Sequence, residues 1–525
     1  MPIEDFLTKH AENKADDPAI IVDGSGGAIA LTMTYAELNR LVNRVANALA
    51  AADIAPGERL VWCGPNSLQV VAVLHATRKL RLVAVPLSYR FTPEEMAYVI
   101  DNSDATCVIA DAEFAPLVAS IADQCPKVRT WLGFTASEGA PPIEAPFRHW
   151  DEVLAPQSTE EPELESNEVA GAQMIYTSGT TGKPKGAMRT TTDPNLTAIL
   201  LREMNYLHPN GVHLTTGPLY HSGPLAFAQL AGQLGHLVVL MRKFDASRWL
   251  ELVKQHKVTN TFSAPTQLKR VVSVSDEELA AADCSSMVTL IANAAPVPYA
   301  LKQEIFAKLG TTFLYEVYGS TELGVDTVMR PEDQLRKPGS CGKPYGSIQL
   351  RIVADDGTTA PTGTPGELFV RTTMGMDGYH RTDQALTADE GDGGGWKSVG
   401  DVAYVDDEGF VYICDRKKDM VISGGMNIYP AEVEAALYEH PAILDAAVFG
   451  IPDEEWGEQV HAVLQAKPGH TIDLDEVRAF IEPKLASYKR PRTYELRDLL
   501  PRTDSGKLLK RVLRDEHWTQ AGPKV

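Results

Sequence analysis

Apolar positions in the first part of the chain follow two alternating periods, one typical of helices and one typical of strands. Thr34 and Glu37 form a capping-box pattern ahead of apolar residues spaced three and four apart as far as Leu49, which predicts an amphipathic helix. A second helical pattern ends at about Leu80, a third helix is predicted after Thr92, and short apolar runs between the helical patterns predict strands. Strands that alternate with helices indicate an α/β unit with a mostly parallel sheet.

The same alternation resumes after residue 190 and predicts a second α/β unit. Asp193 and Pro194 suit the N-cap and the first position of a helix. The predicted strands are 212–216, 236–240, 260–263, 287–291 and 311–315, with helices near 226–234 and 246–256 between them. Residues 135–168, rich in Glu, Pro, Ala and Ser, carry no periodicity and are expected to form a surface connection.

The pattern changes twice in the last third of the chain. Between about 335 and 415, short alternating strands are separated by Gly-containing turns, which predicts a small antiparallel, β-barrel-like unit. After the charged segment 415–419, short α+β elements begin again. We therefore predict a large N-terminal domain, 1–417, and a small C-terminal domain, 418–525. The expected elements of the second domain are a helix at 430–439, strands at 442–449 and 459–465, and helices at 473–486 and 507–515.

Composition narrows the possible functions. The formal net charge of −21 over 525 residues argues against general nucleic-acid binding, which needs a basic surface. The six cysteines include no CxxC pair, so they predict neither a zinc site nor a disulfide framework and suit a reducing compartment. No stretch approaches the ~20 apolar residues of a membrane span. The chain is predicted to be soluble and cytoplasmic, and its oligomeric state is left open, with a homodimer among the alternatives.

The segment 176–186 combines hydroxyls, glycines and lysines in a way that suits a phosphate-binding loop. A Walker loop is excluded, because only two residues separate Gly179 from Gly182 and because Pro184 follows Lys183. The flanking residues predict two short strands around a mobile loop. The alternative is a hairpin that only turns the chain, although turns rarely combine this many donors with two lysines.

Four further segments carry candidate chemistry, each with a simpler alternative. Segment 318–322 could hold a phosphate with a hard cation or be a turn at the end of a strand. Asp401 could bind a ribose or cap a turn. The paired glycines in 423–430 suit close passage of a ligand or a plain loop. Segment 501–507 places one lysine before a helix, where a solvated lysine is the simpler interpretation.

Taken together and in this order, the five segments resemble the adenylate-forming superfamily of acyl-CoA synthetases, luciferases and peptide-synthetase adenylation domains. The resemblance covers nearly the whole chain. It implies a large N-terminal domain of two α/β subdomains and a β-barrel, followed by a small C-terminal domain that rotates about a hinge, matched by Lys418. The implied function is an AMP-forming acyl-CoA ligase that uses ATP, Mg²⁺ and CoA.

The resemblance also implies roles for individual residues on the nucleotide side. Thr177 and Glu322 would lie near Mg²⁺, and Lys507 matches the lysine of the adenylation half-reaction. The other positions implied to bind ATP are Ser178, Gly179, Thr180, Thr181, Gly182, Lys183, Ala294, Ala295, Glu316, Val317, Tyr318, Thr321, Trp396, Asp401, Arg416 and Ser423.

Further positions are implied for the acyl group and the thiol. His221 matches the residue that gates the acyl pocket, which would also be lined by Leu225, Asn293, Gly319, Ser320 and Gly324. The implied CoA-binding positions are Gly424, Gly425, Trp456, Tyr488, Arg490 and Arg492.

The sequence departs from the family pattern at several positions. Asn293 and Ala294 replace two glycines of the adenine segment, Val399 replaces a threonine, and Arg189 stands where His or Thr is common. Small and apolar residues around the predicted pocket favour a medium- or long-chain fatty acid. The alternatives are an aryl or steroid-side-chain acid and, in another class, a non-catalytic adenylate-binding protein with the same fold.

Overall fold

The structure is a computed structural model that describes residues 6–163, 171–177, 183–383, 385–389, 394–502 and 508–518. Helices and strands alternate along most of it. The helices are α1 Leu7–Asn13, α2 Tyr35–Ala51, α3 Leu68–Lys79, α4 Pro93–Asn102, α5 Ala115–Ala119, α6 Trp150–Leu154, α7 Pro194–Glu203, α8 Ser222–Leu234, α9 Ala246–His256, α10 Pro265–Val271, α11 Asp276–Ala281, α12 Tyr299–Lys308, α13 Pro430–Tyr438, α14 Leu474–Ile481 and α15 Lys510–Trp518.

The strands fall into four sheets. They are β1 Pro18–Val22, β2 Leu31–Thr34, β3 Arg59–Cys63, β4 Val83–Leu87, β5 Ala105–Asp111, β6 Thr130–Phe134, β7 Arg148–His149, β8 Ala172–Thr177, β9 Lys185–Arg189, β10 Val212–Thr215, β11 Leu237–Leu240, β12 Asn260–Ser263, β13 Thr289–Ala292, β14 Leu314–Ser320, β15 Gly324–Met329, β16 Lys343–Pro344, β17 Gln349–Val353, β18 Gly366–Arg371, β19 Gly378–Tyr379, β20 Thr387–Asp389, β21 Trp396–Ser398, β22 Asp401–Val405, β23 Val411–Arg416, β24 Val421–Ser423, β25 Met426–Ile428, β26 Ile443–Asp453, β27 Gly457–Ala466 and β28 Thr493–Leu496.

Two large, mostly parallel sheets form the N-terminal part. One has eight strands in the order β19-β9-β8-β4-β3-β5-β6-β7, and the other has nine in the order β16-β15-β14-β13-β12-β10-β11-β1-β2. A six-stranded antiparallel sheet, β17, β18 and β20 to β23, follows, and a five-stranded sheet, β24 to β28, forms the C-terminal part. This mixed α/β architecture is the fold class that the sequence predicts.

Capping residues set the starts of the predicted helices. The Thr34 hydroxyl accepts from the Glu37 amide, and the Glu37 carboxylate accepts from the Thr34 amide, so α2 begins in a complete capping box. Thr92 and Glu95 do the same for α4. Both helix starts are confirmed.

The chain order and the sheet order differ at the N-terminus. β1 pairs in parallel with β11, with Ile20 opposite Val238, and β2 forms the outer edge beside it. The first two strands therefore complete the nine-stranded sheet, whereas the strands that follow, β3 to β7, build the eight-stranded one.

Two sequence expectations need correction in detail. Residues 135–168 are not wholly irregular, because β7 and α6 lie within them and because Trp150 and Leu154 of α6 pack into the core. The segment 335–415 contributes to three sheets, since β16 pairs with β15 and β19 pairs with β9. None of the helices in the described ranges is both long and apolar enough to cross a membrane.

Candidate active site

The parallel strands of the nine-stranded sheet bring several predicted site residues to one edge. His221 comes after β10, Asn293 directly follows β13, and Thr321 directly follows β14. β10 pairs in parallel with β12, β12 with β13, and β13 with β14. Carboxyl ends of neighbouring parallel strands are the usual place for a ligand site in α/β sheets.

Thr177, the last described residue before the predicted phosphate loop, contacts a carboxylate at this edge. β8 and β9 pair as an antiparallel hairpin, with Thr177 opposite Lys185, as predicted for the flanks of the loop. The Thr177 hydroxyl donates to Glu322 Oε1 at 3.1 Å, and the Tyr379 hydroxyl donates to the same oxygen at 2.9 Å. These oxygen ligands suit a hard cation such as Mg²⁺, so the predicted pair Thr177 and Glu322 fits that ion.

A second polar cluster joins the edge to the antiparallel sheet. The Tyr318 hydroxyl donates to Asp401 Oδ2 at 2.6 Å, and Arg416 Nε lies 3.4 Å from Asp401 Oδ1 across the β22–β23 pair. Burial raises the pKa of the Tyr318 hydroxyl well above its usual value, and the nearby Asp401 adds to the shift. Tyr318 therefore stays protonated as a donor, and the structure brings together three residues predicted to contact the nucleotide.

The N-terminus of α8 contacts Thr321, the residue that directly follows β14. The hydroxyls of Ser222 and Thr321 lie 3.0 Å apart, so the residue after His221 is hydrogen-bonded to the predicted α-phosphate contact. Further along α8, the rings of Phe227 and Phe262 stack with centroids 5.7 Å apart. The edge therefore has a polar side at Thr321 and an aromatic wall behind it.

Asn293 and Ala294 adapt to positions that are usually glycine in the family. The Asn293 side-chain amide donates to the Val317 carbonyl and so ties the end of β13 to β14. Ala294 adopts a φ of 78°, a left-handed conformation that favours glycine. The backbone thus keeps a shape suited to glycine although the side chain is larger.

Arg189 links the hairpin to the strand-end loop. Its guanidinium donates to the Thr321 carbonyl at 3.0 Å and to the Met374 carbonyl. Burial lowers the pKa of Arg189, while Asp377, Asp326 and Glu322 oppose the shift. Arg189 therefore supplies buried positive charge within the site.

Asp326 is the most unusual carboxylate near this cluster. It is fully buried in β15, and neither of its carboxylate oxygens has a hydrogen-bond partner among the residues that the structure describes. Desolvation raises its pKa well above the usual range, with a further contribution from Asp401, and Arg189 opposes the shift. Burial in β15 therefore favours the protonated form of this carboxyl group.

Four predicted site residues have side chains that are engaged within the protein. Glu316 is buried against Lys302, with 2.5 Å between the charged atoms, and it accepts from the Val297 amide, so its carboxylate helps to hold β14 in place. Trp396 lies inside the antiparallel sheet, with the guanidinium of Arg371 4.3 Å from its ring. Leu225 is 1% exposed, in the core cluster with Tyr220, and the Ser320 hydroxyl accepts from the Leu323 amide in a turn.

The two small residues Gly319 and Gly324 are explained by the backbone. A Cβ at Gly319 would lie 2.0 Å from the Gly324 carbonyl oxygen, and Gly324 has a φ of 90°. The tight β14–β15 hairpin therefore requires both glycines, and they are not evidence for a roomy pocket.

Four of the six predicted CoA-binding residues, Gly424, Gly425, Trp456 and Arg492, lie together in the C-terminal part. The Gly424 amide donates to the Trp456 carbonyl at 2.9 Å, and a Cβ at Gly424 would lie 2.5 Å from the Trp456 ring. The guanidinium of Arg492 also lies against this ring, 4.7 Å from the ring centroid of Trp456. Gly425 follows Gly424 and has open space at its Cβ position. Ser423 precedes Gly424 and is buried in β24.

The remaining two CoA candidates are less closely connected to this group. Tyr488 is 41% exposed, and Lys489 lies 5.8 Å from its ring. Arg490 donates to the Leu485 carbonyl and pairs with Glu482, so its charge is already engaged.

Several predicted residues lie outside the described ranges: Ser178, Gly179, Thr180, Thr181, Gly182 and Lys507. Lys183 is described at the end of the loop, with its ammonium 5.2 Å from the ring of Tyr98.

Sequence reasoning missed Tyr379 and Asp326, and it noted Arg189 only as a departure. Tyr379 reaches Glu322 because β19, which lies far from β9 in the sequence, pairs with β9. No local pattern signals that pairing. For Asp326, a charged residue inside the apolar strand 324–329 was an available signal.

Comparison with known proteins identifies the family. Residues 7–380 match the model of the AMP-binding enzyme family, and residues 432–507 match that of the AMP-binding enzyme C-terminal domain. The fatty acid–[acyl-carrier-protein] ligase ScoC of Streptomyces coeruleorubidus is 32% identical over 530 residues, which covers 98% of this chain and 96% of that protein. A feruloyl-CoA synthase of an Amycolatopsis species is 35% identical over 484 residues, which covers 92% of this chain and 93% of that protein.

Solved structures agree with this assignment. The o-succinylbenzoate CoA synthetase of Bacillus subtilis, solved with its acyl-adenylate intermediate, superposes with a TM-score of 0.82 at 29% identity, covering 98% of this chain and 99% of that one. The chain belongs to the AMP-binding enzyme family. It is an AMP-forming acid–thiol ligase of the acyl-CoA synthetase type, which confirms the resemblance, the fold class and the enzyme class predicted from the sequence.

Proposed function

We propose that this ligase activates a medium- or long-chain fatty acid as acyl-AMP and transfers the acyl group to CoA. The observation that carries the proposal is the pairing of Thr177 with Glu322 next to the Tyr318–Asp401–Arg416 cluster. One group presents oxygen ligands and hydroxyls to a polyphosphate, and the other presents a carboxylate to a ribose diol.

The first half-reaction joins two anions. The substrate carboxylate attacks the α-phosphorus of ATP, a new P–O bond forms, and the bond to pyrophosphate breaks. The nucleophile is already ionised, so no general base is needed, and the main requirement is to stabilise the growing negative charge. Thr321 would contact the α-phosphate, Arg189 supplies positive charge behind it, and Lys507 would approach from the C-terminal domain.

The predicted magnesium site consists of Thr177 and Glu322. The Glu322 carboxylate, with two hydroxyls donating to one of its oxygens, offers the oxygen ligands that Mg²⁺ prefers. When bound, Mg²⁺ would neutralise charge on the phosphates.

The second half-reaction needs a different surface. The thiol of CoA loses its proton and attacks the acyl carbon, and the bond to AMP breaks. Gly424 and Gly425 would line the passage for the pantetheine arm, and Trp456 and Arg492 would contact the outer part of CoA. The stacked arrangement of Arg492 on Trp456 supports this role, because it presents a cation beside an exposed aromatic face.

We favour an apolar acid because α8, which begins directly after His221, carries mostly apolar side chains. Phe227 of this helix stacks on Phe262 in the core, and the partly buried Leu230 packs against the same core cluster. ScoC, by its name, acts on a fatty acid. An aryl acid is the second candidate, since the two stacked rings would also suit an aromatic substrate and the Amycolatopsis relative is named for feruloyl-CoA.

The deciding experiment is an acid panel. Acetate, octanoate, palmitate, benzoate and ferulate are each tested for ATP-dependent pyrophosphate release without CoA, and for thioester formation with CoA or with a pantetheinylated carrier protein. We expect octanoate or palmitate to give the highest kcat/KM, with CoA as acceptor. A maximum with ferulate would establish the aryl candidate, and transfer only to the carrier protein would overturn the choice of CoA.

A pair of variants on α8 tests the pocket itself. Leu230→Trp fills space beside Phe227 and should lower kcat/KM for palmitate by about tenfold or more while sparing acetate. The control is Leu234→Trp, at a position 36% exposed near the end of the same helix. Equal effects of the two variants would contradict the placement of the acyl pocket at α8.

A further inference from the structure

A cluster of potential metal ligands lies in the C-terminal part. His461 is on β27, Glu495 is on β28, and His517 is in the last turn of α15. β28 pairs in parallel with β27, with Val463 opposite Glu495. One ligand atom from each of the three residues lies within 4.8 Å of the other two.

The two histidines present their Nε2 atoms to the cluster. His461 is 4% exposed, and its Nδ1 is 2.7 Å from the Thr493 hydroxyl, so Nδ1 is engaged and Nε2 is left for another partner. Neither His461 Nε2 nor His517 Nε2 has a hydrogen-bond partner in the described part of the chain. Two buried imidazole nitrogens therefore point to a common space without a ligand of their own.

The Glu495 carboxylate lies between the two imidazoles, too far from either Nε2 atom for a hydrogen bond. Its Oε2 is 3.9 Å from His461 Nε2 and 3.8 Å from His517 Nε2. Its other oxygen accepts from Arg497, whose guanidinium also pairs with Glu516. Because Arg497 is matched by two carboxylates, its charge does not prevent a cation from binding nearby.

We propose that His461, Glu495 and His517 bind a divalent transition-metal ion of the zinc class. Two imidazoles and a carboxylate are a common ligand set for such ions and leave one position for water. With bonds of about 2.1 Å in tetrahedral geometry, donor atoms lie about 3.4 Å apart, so each histidine Nε2 needs to move about 0.5 Å closer to Glu495 Oε2. Thr493 and Arg497 supply the outer hydrogen bonds that orient metal ligands.

The ion would join three elements of the C-terminal part. α15 is already held by Arg514, which pairs with Asp419 at 3.0 Å, and by Trp518, whose indole donates to the Gly450 carbonyl at 3.0 Å. A metal at His517 would fix the last turn of α15 to β27 and β28. We therefore expect the ion to stabilise this part of the chain.

The test uses the full-length chain, stripped with EDTA, dialysed and titrated with Zn²⁺ or Co²⁺. We expect one equivalent of Zn²⁺ to bind, the Tm to rise on binding, and Co²⁺ to give the visible absorption bands of a low-coordinate site. Mg²⁺ should give neither effect, because imidazole ligands do not suit it.

Substitutions assign the ligands. His517→Gln and Glu495→Gln should each weaken Zn²⁺ binding by at least about tenfold, and Thr493→Val should weaken it through the orientation of His461. His470→Gln, at an exposed histidine in the same domain, is the matched control. His517 and Glu495 are partly exposed, so their variants are expected to fold.

Two results would overturn the proposal. One is the absence of stoichiometric Zn²⁺ binding by the unsubstituted protein. The other is binding that His517→Gln and Glu495→Gln leave unchanged.

Discussion

Ala294 is held in a backbone conformation that its side chain disfavours. Its φ of 78° lies in the left-handed region, which costs an L-residue with a Cβ about 1 kcal/mol relative to glycine. The neighbouring Asn293 ties the segment to β14 and so maintains the shape. The site therefore contains local strain at the point where the acyl and adenine pockets are expected to meet.

Ala294→Gly should raise the free energy of unfolding by about 1 kcal/mol, because glycine adopts this φ without strain. Chemical denaturation measures the change. Ala295→Gly is the control and should be destabilising, since it only adds freedom to the unfolded chain. If Ala294→Gly is destabilising too, release of backbone strain does not dominate at this position.

Asp326 predicts a pH dependence of stability. Its pKa is raised in the folded protein, so its contribution is fully present below the unfolded value of about 3.9 and is lost as pH rises toward the folded value. Between these two pKa values the folded state binds one more proton than the unfolded state, so the free energy of unfolding falls by about 1.4 kcal/mol per pH unit. Asp326→Asn should therefore raise the Tm more at pH 8 than at pH 5.

Thermal unfolding at both pH values checks this expectation. Asp407→Asn, in an exposed turn, serves as the control and should shift the Tm equally at both. A shift for Asp326→Asn that does not depend on pH would mean that the carboxyl group is ionised in the folded protein.

Lys507 is predicted to act in one half-reaction only. Lys507→Ala should lower pyrophosphate release by about 100-fold or more, because a positive charge is lost where negative charge develops. Thioester formation from supplied acyl-AMP should be spared. Arg511→Ala, which removes an exposed cation of α15, is the control, and equal loss of both half-reactions would refute the two-conformation mechanism.

At the scale of elements, local patterns predicted what each segment forms but not what it pairs with. The capping boxes at Thr34 and Thr92 and the β8–β9 hairpin could be predicted, because the sequence pattern of each lies within a few residues. The pairing of β19 with β9 was not, because it depends on packing between distant segments. The same limit applies to Glu316, since nothing local in the sequence indicates its partner Lys302.

The β24–β25 turn provides an element-scale prediction about CoA. Gly424→Ala places a methyl group against the Trp456 ring and should displace it, raising KM for CoA by about tenfold while pyrophosphate release is unchanged. Gly469→Ala is the control, because this glycine also has a positive φ, 76°, has open space at its Cβ position and is not among the predicted CoA-binding residues. Identical kinetics of the two variants would show that the position of Trp456 does not matter for CoA.

At the scale of the molecule, charged contacts on both sides hold the segment where the hinge is predicted. Lys417 pairs with Glu367 of the antiparallel sheet at 2.9 Å, whereas Asp419 pairs with Arg514 of α15 at 3.0 Å. Lys418 lies between them, and burial lowers its pKa. A rotation at Lys418 would keep both contacts, because each of them joins residues on one side of the predicted hinge.

The N-terminal strands predict which truncations the chain tolerates. Deleting residues 1–34 removes β1 and β2 and leaves β11 as an open sheet edge, so the product should aggregate in size-exclusion chromatography. Deleting residues 418–525 removes more of the chain but no strand of this sheet, and the product should stay monodisperse. A monodisperse product of the first deletion would mean that β1 is dispensable.

The place of β1 also affects how the protein is made. Ile20 leaves the ribosome long before Val238, the residue it faces in the finished sheet. At ordinary rates of synthesis, β1 waits roughly 10–40 s for β11. During that time its apolar residues lack their partner strand, so we expect the rate of translation to influence the yield of correctly folded protein.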